Sequence, residues 1–177
     1  EAASPLYEKS LALYRHLGDK RGIALALNGL AGVAFFEDGD LDKAVRLYRE
    51  SLALPREIGD RWAVALSLNN LGVIENNRGR FKEAHALHAE SLALRHELGD
   101  QWGIAQSLCN LGTTYYFLDH SRAVVFFEQS LAIQRKLGVY MAIVHALNGL
   151  GDVALAQNRL ADAAALYGES LSLSLEK

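Results

Sequence analysis

Glu90 to Asp100 reads ESLALRHELGD, and the chain returns to that phrase throughout its 177 residues. EKSLALYRHLGD starts at Glu8, ESLALPREIGD at Glu50 and EQSLAIQRKLGV at Glu128. A fifth copy, ESLSLSLEK from Glu169, stops at Lys177, one residue before its glycine falls due. Gly18, Gly59, Gly99 and Gly138 follow one another at 41, 40 and 39 residues, and Ala3, Ala44, Ala84, Ala123 and Ala163 mark a second register of the same period. A self-similarity of this length is the signature of a repeat architecture.

Each unit holds two segments. RWAVALSLNNLGVIENN (residues 61–77) spaces its apolar residues as a helix does and not as a strand does; it is helix A. FKEAHALHAESLALRHEL (residues 81–98) brings Phe81, Ala84, Leu87, His88, Ser91, Leu92 and Leu98 onto nearby faces and is helix B. The Gly-Asp pair that closes the phrase supplies a left-handed helix stop and then a carboxylate able to cap the next helix. One antiparallel pair cannot bury both of its apolar faces, so pairs must stack. The expectation is an all-α, right-handed α-solenoid of antiparallel helix pairs, a single array over 1–177. It has a leading helix B at 1–17 and repeats at 18–58, 59–98, 99–137 and 138–177.

LNNLGVIENNRGRFKEAHALHAESLAL, Leu68 to Leu94, resembles a tetratricopeptide repeat. Leu71-Gly72 matches that family's helix A Leu-Gly, Gly79 its turn glycine, Phe81 its helix B opener and Ala84 its small helix B residue. The resemblance covers essentially the whole chain. A period near 40 is similar to the long-helix variety found in kinesin light chains, spindle-orientation adaptors, and bacterial signalling ATPases and transcription activators, and the phrase itself looks most like the bacterial group. The resemblance implies a superhelix whose concave wall is lined by helix A.

Several positions depart from the pattern. NGLAG (Asn28 to Gly32) is one residue longer than NNLG (Asn69 to Gly72), which points to Ala31 as an extra residue, absorbed as a wide helical turn or recovered in a longer loop. FLDHSRAV (Phe117 to Val124) loses a residue and the turn glycine, leaving Asp119 to cap the third helix B. Asn158 stands where the fourth unit needs a left-handed residue. Val139 replaces a capping aspartate, and Pro55 is expected to kink or shorten the first full helix B.

Composition narrows the function. Eighteen Lys and Arg against 21 Asp and Glu provide no positive field for nucleic acid or an anionic membrane. No apolar run approaches membrane-spanning length, the first residues carry no signal-peptide blocks, and a single cysteine, Cys109, fits a reducing compartment, so the chain reads as cytoplasmic. His85, His88 and His96 share one helix, but an i, i+3 pair lacks the further ligands a metal requires. His88 takes the place of Tyr48, Phe127 and Tyr167 in the other units and reads as a half-buried stand-in for an aromatic ring. Cys109 with His145 lacks an orienting third group or an oxyanion site, and no glycine-rich loop serves phosphate. Neither catalytic, metal nor cofactor residues are indicated.

A binding role remains. Offsets sharing a face with Asn69 select Trp62, Leu66, Asn69, Val73 and Asn76 in the second repeat. The same register gives Trp102, Gln106, Cys109, Thr113 and Tyr116 in the third, Met141, His145, Asn148, Asp152 and Leu155 in the fourth, and Asn28, Val33 and Phe36 in the first. Tryptophans and tyrosine supply apolar area and the amides supply donors and acceptors for a peptide backbone. The alternative is that Trp62 and Trp102 pack against the neighbouring helix A. The expected function is a non-enzymatic scaffold that binds a protein or peptide, within a larger bacterial signalling or regulatory protein. Two others stay open. One is a small-molecule sensor of the transcription-activator kind. The other is head-to-tail self-association through uncapped ends, where Leu6, Leu11, Leu13, Leu166, Leu171 and Leu173 include uncovered faces.

Overall fold

Asp19, Asp60 and Asp100 each accept a hydrogen bond from the backbone N–H three residues on, of Gly22, Ala63 and Gly103, at 2.9, 3.0 and 2.9 Å. The glycine before each aspartate is left-handed, with φ of 66°, 72° and 68° at Gly18, Gly59 and Gly99, where a β-carbon would strain the backbone. The repeated dipeptide thus closes one helix and opens the next in this computed structural model, which describes residues 3–175. Glu176 and Lys177, the end of the fifth copy of the phrase, lie outside the described residues, as do Glu1 and Ala2.

Nine helices and no strand occur among the described residues. They are α1 (Ala3–Leu17), α2 (Lys20–Phe36), α3 (Leu41–Ile58), α4 (Arg61–Asn77), α5 (Phe81–Leu98), α6 (Gln101–Tyr116), α7 (His120–Leu137), α8 (Tyr140–Ala156) and α9 (Leu160–Leu175). The fold is an all-α helical-repeat solenoid. Two compact units divide it, the first ending at Leu94 and the second beginning at Arg95.

In the first unit, Leu11 of α1 packs with Ala26 and Leu27 of α2, Ala31 and Ala34 meet Ala44, Val45 and Tyr48 of α3, and Leu52 meets Val64 and Leu68 of α4. In the second, Leu108, Leu111, Phe127, Leu131, Leu147, Leu150 and Val153 are buried on α6, α7 and α8. The serine of the phrase ties the two helices of a pair together. Ser51, Ser91 and Ser130 donate to the carbonyls of Ala24, Ala65 and Ala105 at 3.0, 2.8 and 2.7 Å. Each satisfies a buried hydroxyl at the middle of its pair.

Four expectations need revision. Helix α2 runs without a wide turn and has 17 residues, like α4, so the extra residue lies in the loop Glu37 to Asp40 and not at Ala31. Ala31 therefore takes the place of Gly72, and Val33 that of Ile74, a core position: Val33 is 8% exposed and belongs to the packing, not to a binding face. Pro55 does not shorten its helix. α3 has 18 residues, as do α5 and α7, and Pro55 sits in its last turn, where its carbonyl accepts from Asp60 N–H at 2.9 Å. His88 is fully buried and not half-buried, because Gly72 lets its ring approach the α4 backbone. Leu11 is buried too, whereas Leu6, Leu13 and Leu171 are exposed.

A second pairing recurs eight residues apart across each joint from helix B to the next helix A. Tyr14 faces Gly22 and Arg95 faces Gly103, each long side chain occupying the space a β-carbon on the glycine would need. At the same register the chain has Pro55 with Ala63 and Gln134 with Ala142. A larger group on helix B goes with glycine on helix A, and smaller groups go with alanine.

Asp119 caps α7 through the N–H groups of Ser121 and Arg122, and Asn158 adopts a left-handed φ of 59°, both as the sequence predicts. Val139 has the backbone of its capping counterparts, φ −90° and ψ 83° against −77° and 86° at Asp60, yet offers no side-chain acceptor. Val139→Asp should therefore stabilise the protein by about 0.5–1.5 kcal/mol, read as a higher urea midpoint with an unchanged slope. An unchanged midpoint would show that the α8 N-terminus gains nothing from a cap.

Candidate functional site

Helix A presents one face to solvent because helix B and the neighbouring helices A cover the rest of it. In the first unit, α4 places Trp62 on that face at 43% exposure, with Leu66, Val73 and Asn76 half-buried. Asn69 does not join them: it is 1% exposed and turned into the packing. Its counterpart Asn28 is committed to a network between helices. Asn28 Nδ2 lies within hydrogen-bond reach of Ala24 O, Ser51 Oγ and Ser67 Oγ, and Asn28 Oδ1 accepts from Asn70 Nδ2 at 3.3 Å. Phe36 is 81% exposed at the end of α2.

In the second unit, α6 carries Trp102 at 50% exposure and Gln106, Thr113 and Tyr116 half-buried. Neither tryptophan is taken up by packing. Gln106 Oε1 accepts from Arg95 Nη1 at 3.1 Å, which fixes that amide from below. Cys109, like Asn69, is buried, at 3% exposure, and burial pushes its thiol up to about 12. A thiol held protonated in this way is neither a nucleophile nor a contact surface. Met141, His145, Asn148 and Asp152 stand exposed along α8. Asn148 occupies the register of Asn28, but its amide has no hydrogen bond among the described residues.

Five of these residues converge. Thr113 and Tyr116 of α6 and His145, Asn148 and Asp152 of α8 line a hollow of about 210 Å³, together with Phe117, Phe127 and Gly149. Phe127 belongs to α7 and reaches the hollow because helix A lacks a β-carbon at two places. One built on Gly149 would lie 2.5 Å from Phe127 Cε1, and one on Gly112 would lie 2.7 Å from it. The Tyr116 ring is edge-on to Phe117 at 5.0 Å and tilted against His120 at 5.3 Å. Asp152 Oδ1 accepts from Tyr167 Oη at 2.6 Å. That bond, with burial and the carboxylate's charge, pushes the Tyr167 phenol up to about 12, so it stays a donor throughout the neutral range. Phe127 and Gly149 were not selected from the sequence as site residues. The available signal was the glycine after Asn148, where the second and third repeats have Asn70 and Asn110. Among the described residues no group of three or more His, Cys, Asp or Glu is placed to hold a metal ion.

The sequence matches the tetratricopeptide repeat family over residues 1–57 and 63–136. The chain belongs to that family. Its tetratricopeptide repeats resemble several solved structures. BtubC (BKLC) from P. vanneervenii matches with a TM-score of 0.82 and 26% identity, over 97% of this chain and 72% of that one. A Podosopora anserina protein assigned as a kinesin light chain, with nearly identical TPR-like repeats, matches at 0.73 and 18% identity, over 98% and 85%. MamA matches at 0.54 and 17%, over 99% and 93%, and these last two likenesses show the fold alone. No curated protein matches the tetratricopeptide repeats of this chain. Among the described residues no helix is long and apolar enough to cross a membrane.

Proposed function

We propose that the protein is a non-enzymatic scaffold that binds a protein or peptide segment through the exposed faces of its A helices, with the hollow between α6 and α8 as an anchor point. The observation carrying this reading is the convergence of Thr113, Tyr116, His145, Asn148 and Asp152 on one hollow. Its aromatic and polar lining suits a side chain that enters from an extended segment. Trp102 and Met141, exposed elsewhere on α6 and α8, add apolar area for flanking residues. At about 210 Å³ the hollow lies below the roughly 300–1,000 Å³ of small-molecule pockets, which favours one anchoring side chain over a free metabolite. Membership of a family whose members typically bind proteins or peptides supports the same conclusion. A cytoplasmic setting accords with a single unpaired cysteine.

Selection from a random peptide display library on the purified protein tests this. Selected peptides should lose roughly thirtyfold or more in affinity with Trp102→Ala or Tyr116→Ala, as anchors do, while the helical circular-dichroism signal is retained. Arg49→Ala and Glu90→Ala, on the B helices, should leave binding unchanged. If no peptide is selected, or if binding is lost through Arg49 and Glu90 while Trp102 and Tyr116 are dispensable, the reading fails. Asn69→Ala is not a suitable probe, since its side chain is buried.

A further inference from the structure

We infer that the hollow between α6 and α8 receives a cationic side chain, best an arginine, from the bound segment; this rests on the scaffold reading above. The lining supplies one carboxylate, Asp152, and no lysine or arginine. Asp152 is held by Tyr167 through Oδ1 alone, and Oδ2 has no protein partner among the described residues. The Tyr167 bond restrains the carboxylate and leaves its second oxygen unused at the wall of the hollow. Around it are three aromatic rings, Tyr116, Phe117 and Phe127, and the Asn148 amide, whose oxygen can accept a further N–H. A planar cation with several fixed donors meets such a site on every side. Its charge answers the carboxylate, its N–H groups reach Oδ2 and the amide oxygen, and its faces lie against aromatic carbon. An acidic side chain would be repelled by Asp152. An aliphatic one would fill the volume but leave the carboxylate without a donor. The repeat itself supplies a contrast, because Asn28, in the register of Asn148, has its amide consumed by Ser51, Ser67 and Asn70. The position becomes available for recognition only in the fourth repeat.

The test uses the whole chain, isotope-labelled, titrated by NMR with N-acetyl-arginine amide and with its neutral isostere N-acetyl-citrulline amide. The arginine probe should give saturable shifts at Thr113, Tyr116, His145, Asn148 and Asp152, and citrulline should bind at least tenfold more weakly. Asp152→Asn, at an exposed position, should abolish the difference between the two probes while the rest of the spectrum is preserved. Equal binding of both probes, shifts located elsewhere, or an arginine preference that survives Asp152→Asn overturns the inference. The library selection separates this failure from that of the scaffold reading. Selected peptides that depend on Tyr116 yet lack lysine and arginine leave the scaffold standing and remove the cation. Arginine binding with no selected peptide keeps the cation site and removes the scaffold.

Discussion

Gly72→Leu should lower the melting temperature by roughly 2–12 °C, from an overpacking cost of about 1–3 kcal/mol at about 2–4 °C per kcal/mol for a chain of this size. The reason is the His88 ring. It is wholly buried against α4, and a β-carbon on Gly72 would lie 2.5 Å from His88 Cε1. Leucine must displace the ring or part α4 from α5, and neither has free volume nearby, since Leu71, Ile74 and Ala84 are also buried. His88→Ala should restore part of the loss when combined with Gly72→Leu, although each substitution alone destabilises. Such non-additivity is expected of residues in contact. Thermal melts of the two single variants and the double variant decide the matter, and an unchanged midpoint for Gly72→Leu would show that the helix pair is not closed over this glycine.

Arg95→Ala should cost about 2–4 kcal/mol in urea unfolding, an unusual figure for an arginine. Arg95 is 2% exposed, and its Nη1 donates to the carbonyl of Gly103 at 2.6 Å and to Gln106 at 3.1 Å. Burial lowers its pKa and the neighbouring Asp100 carboxylate works against that, so it remains a cation whose removal leaves buried acceptors and a void. Arg95→Gln should cost less than alanine, because glutamine fills more of the space and keeps an N–H donor, as the buried Gln134 at the same register does toward Ser130 Oγ at 2.9 Å. If alanine is tolerated within about 0.5 kcal/mol, the size of an ordinary surface substitution, the guanidinium contributes nothing to this joint.

The framework was legible because its signals are local. A glycine and an aspartate side by side determine a stop and a cap whatever surrounds them, and the register of Tyr48, His88, Phe127 and Tyr167 follows from counting. The face stripe was only partly legible. Steps of four and three residues collect a band of helix wide enough to span both the exposed face and the edge that a neighbour covers, and spacing alone does not divide them. Trp62, Trp102 and Asn148 fell on one side of that line, Asn69 and Cys109 on the other. Val33 is a core residue because the loop Glu37 to Asp40, and not the helix, holds the extra residue of the first repeat, which a count along the sequence does not reveal. The Asn28 network joins side chains from three helices, and the floor of the hollow comes from a third helix through two missing β-carbons. Neither has a signature within any one segment.

The pairing of Tyr14 with Gly22 and of Arg95 with Gly103 bears on how such a chain can be recombined. Cutting it at the Gly-Asp dipeptides and reordering the repeats would separate each helix B from the helix A that is shaped to receive it. Tyr14 would meet Ala63, or Arg95 would meet Ala142, and a fitted joint would become a clash. Crossovers placed in the loops between helix A and helix B, such as Glu37 to Asp40 or Arg78 to Arg80, keep every such couple intact. The couples between helix A and the helix B that follows it, Gly72 with His88 and Gly112 with Phe127, bind the other way, so a crossover at either kind of junction must carry its own fitted couple with it.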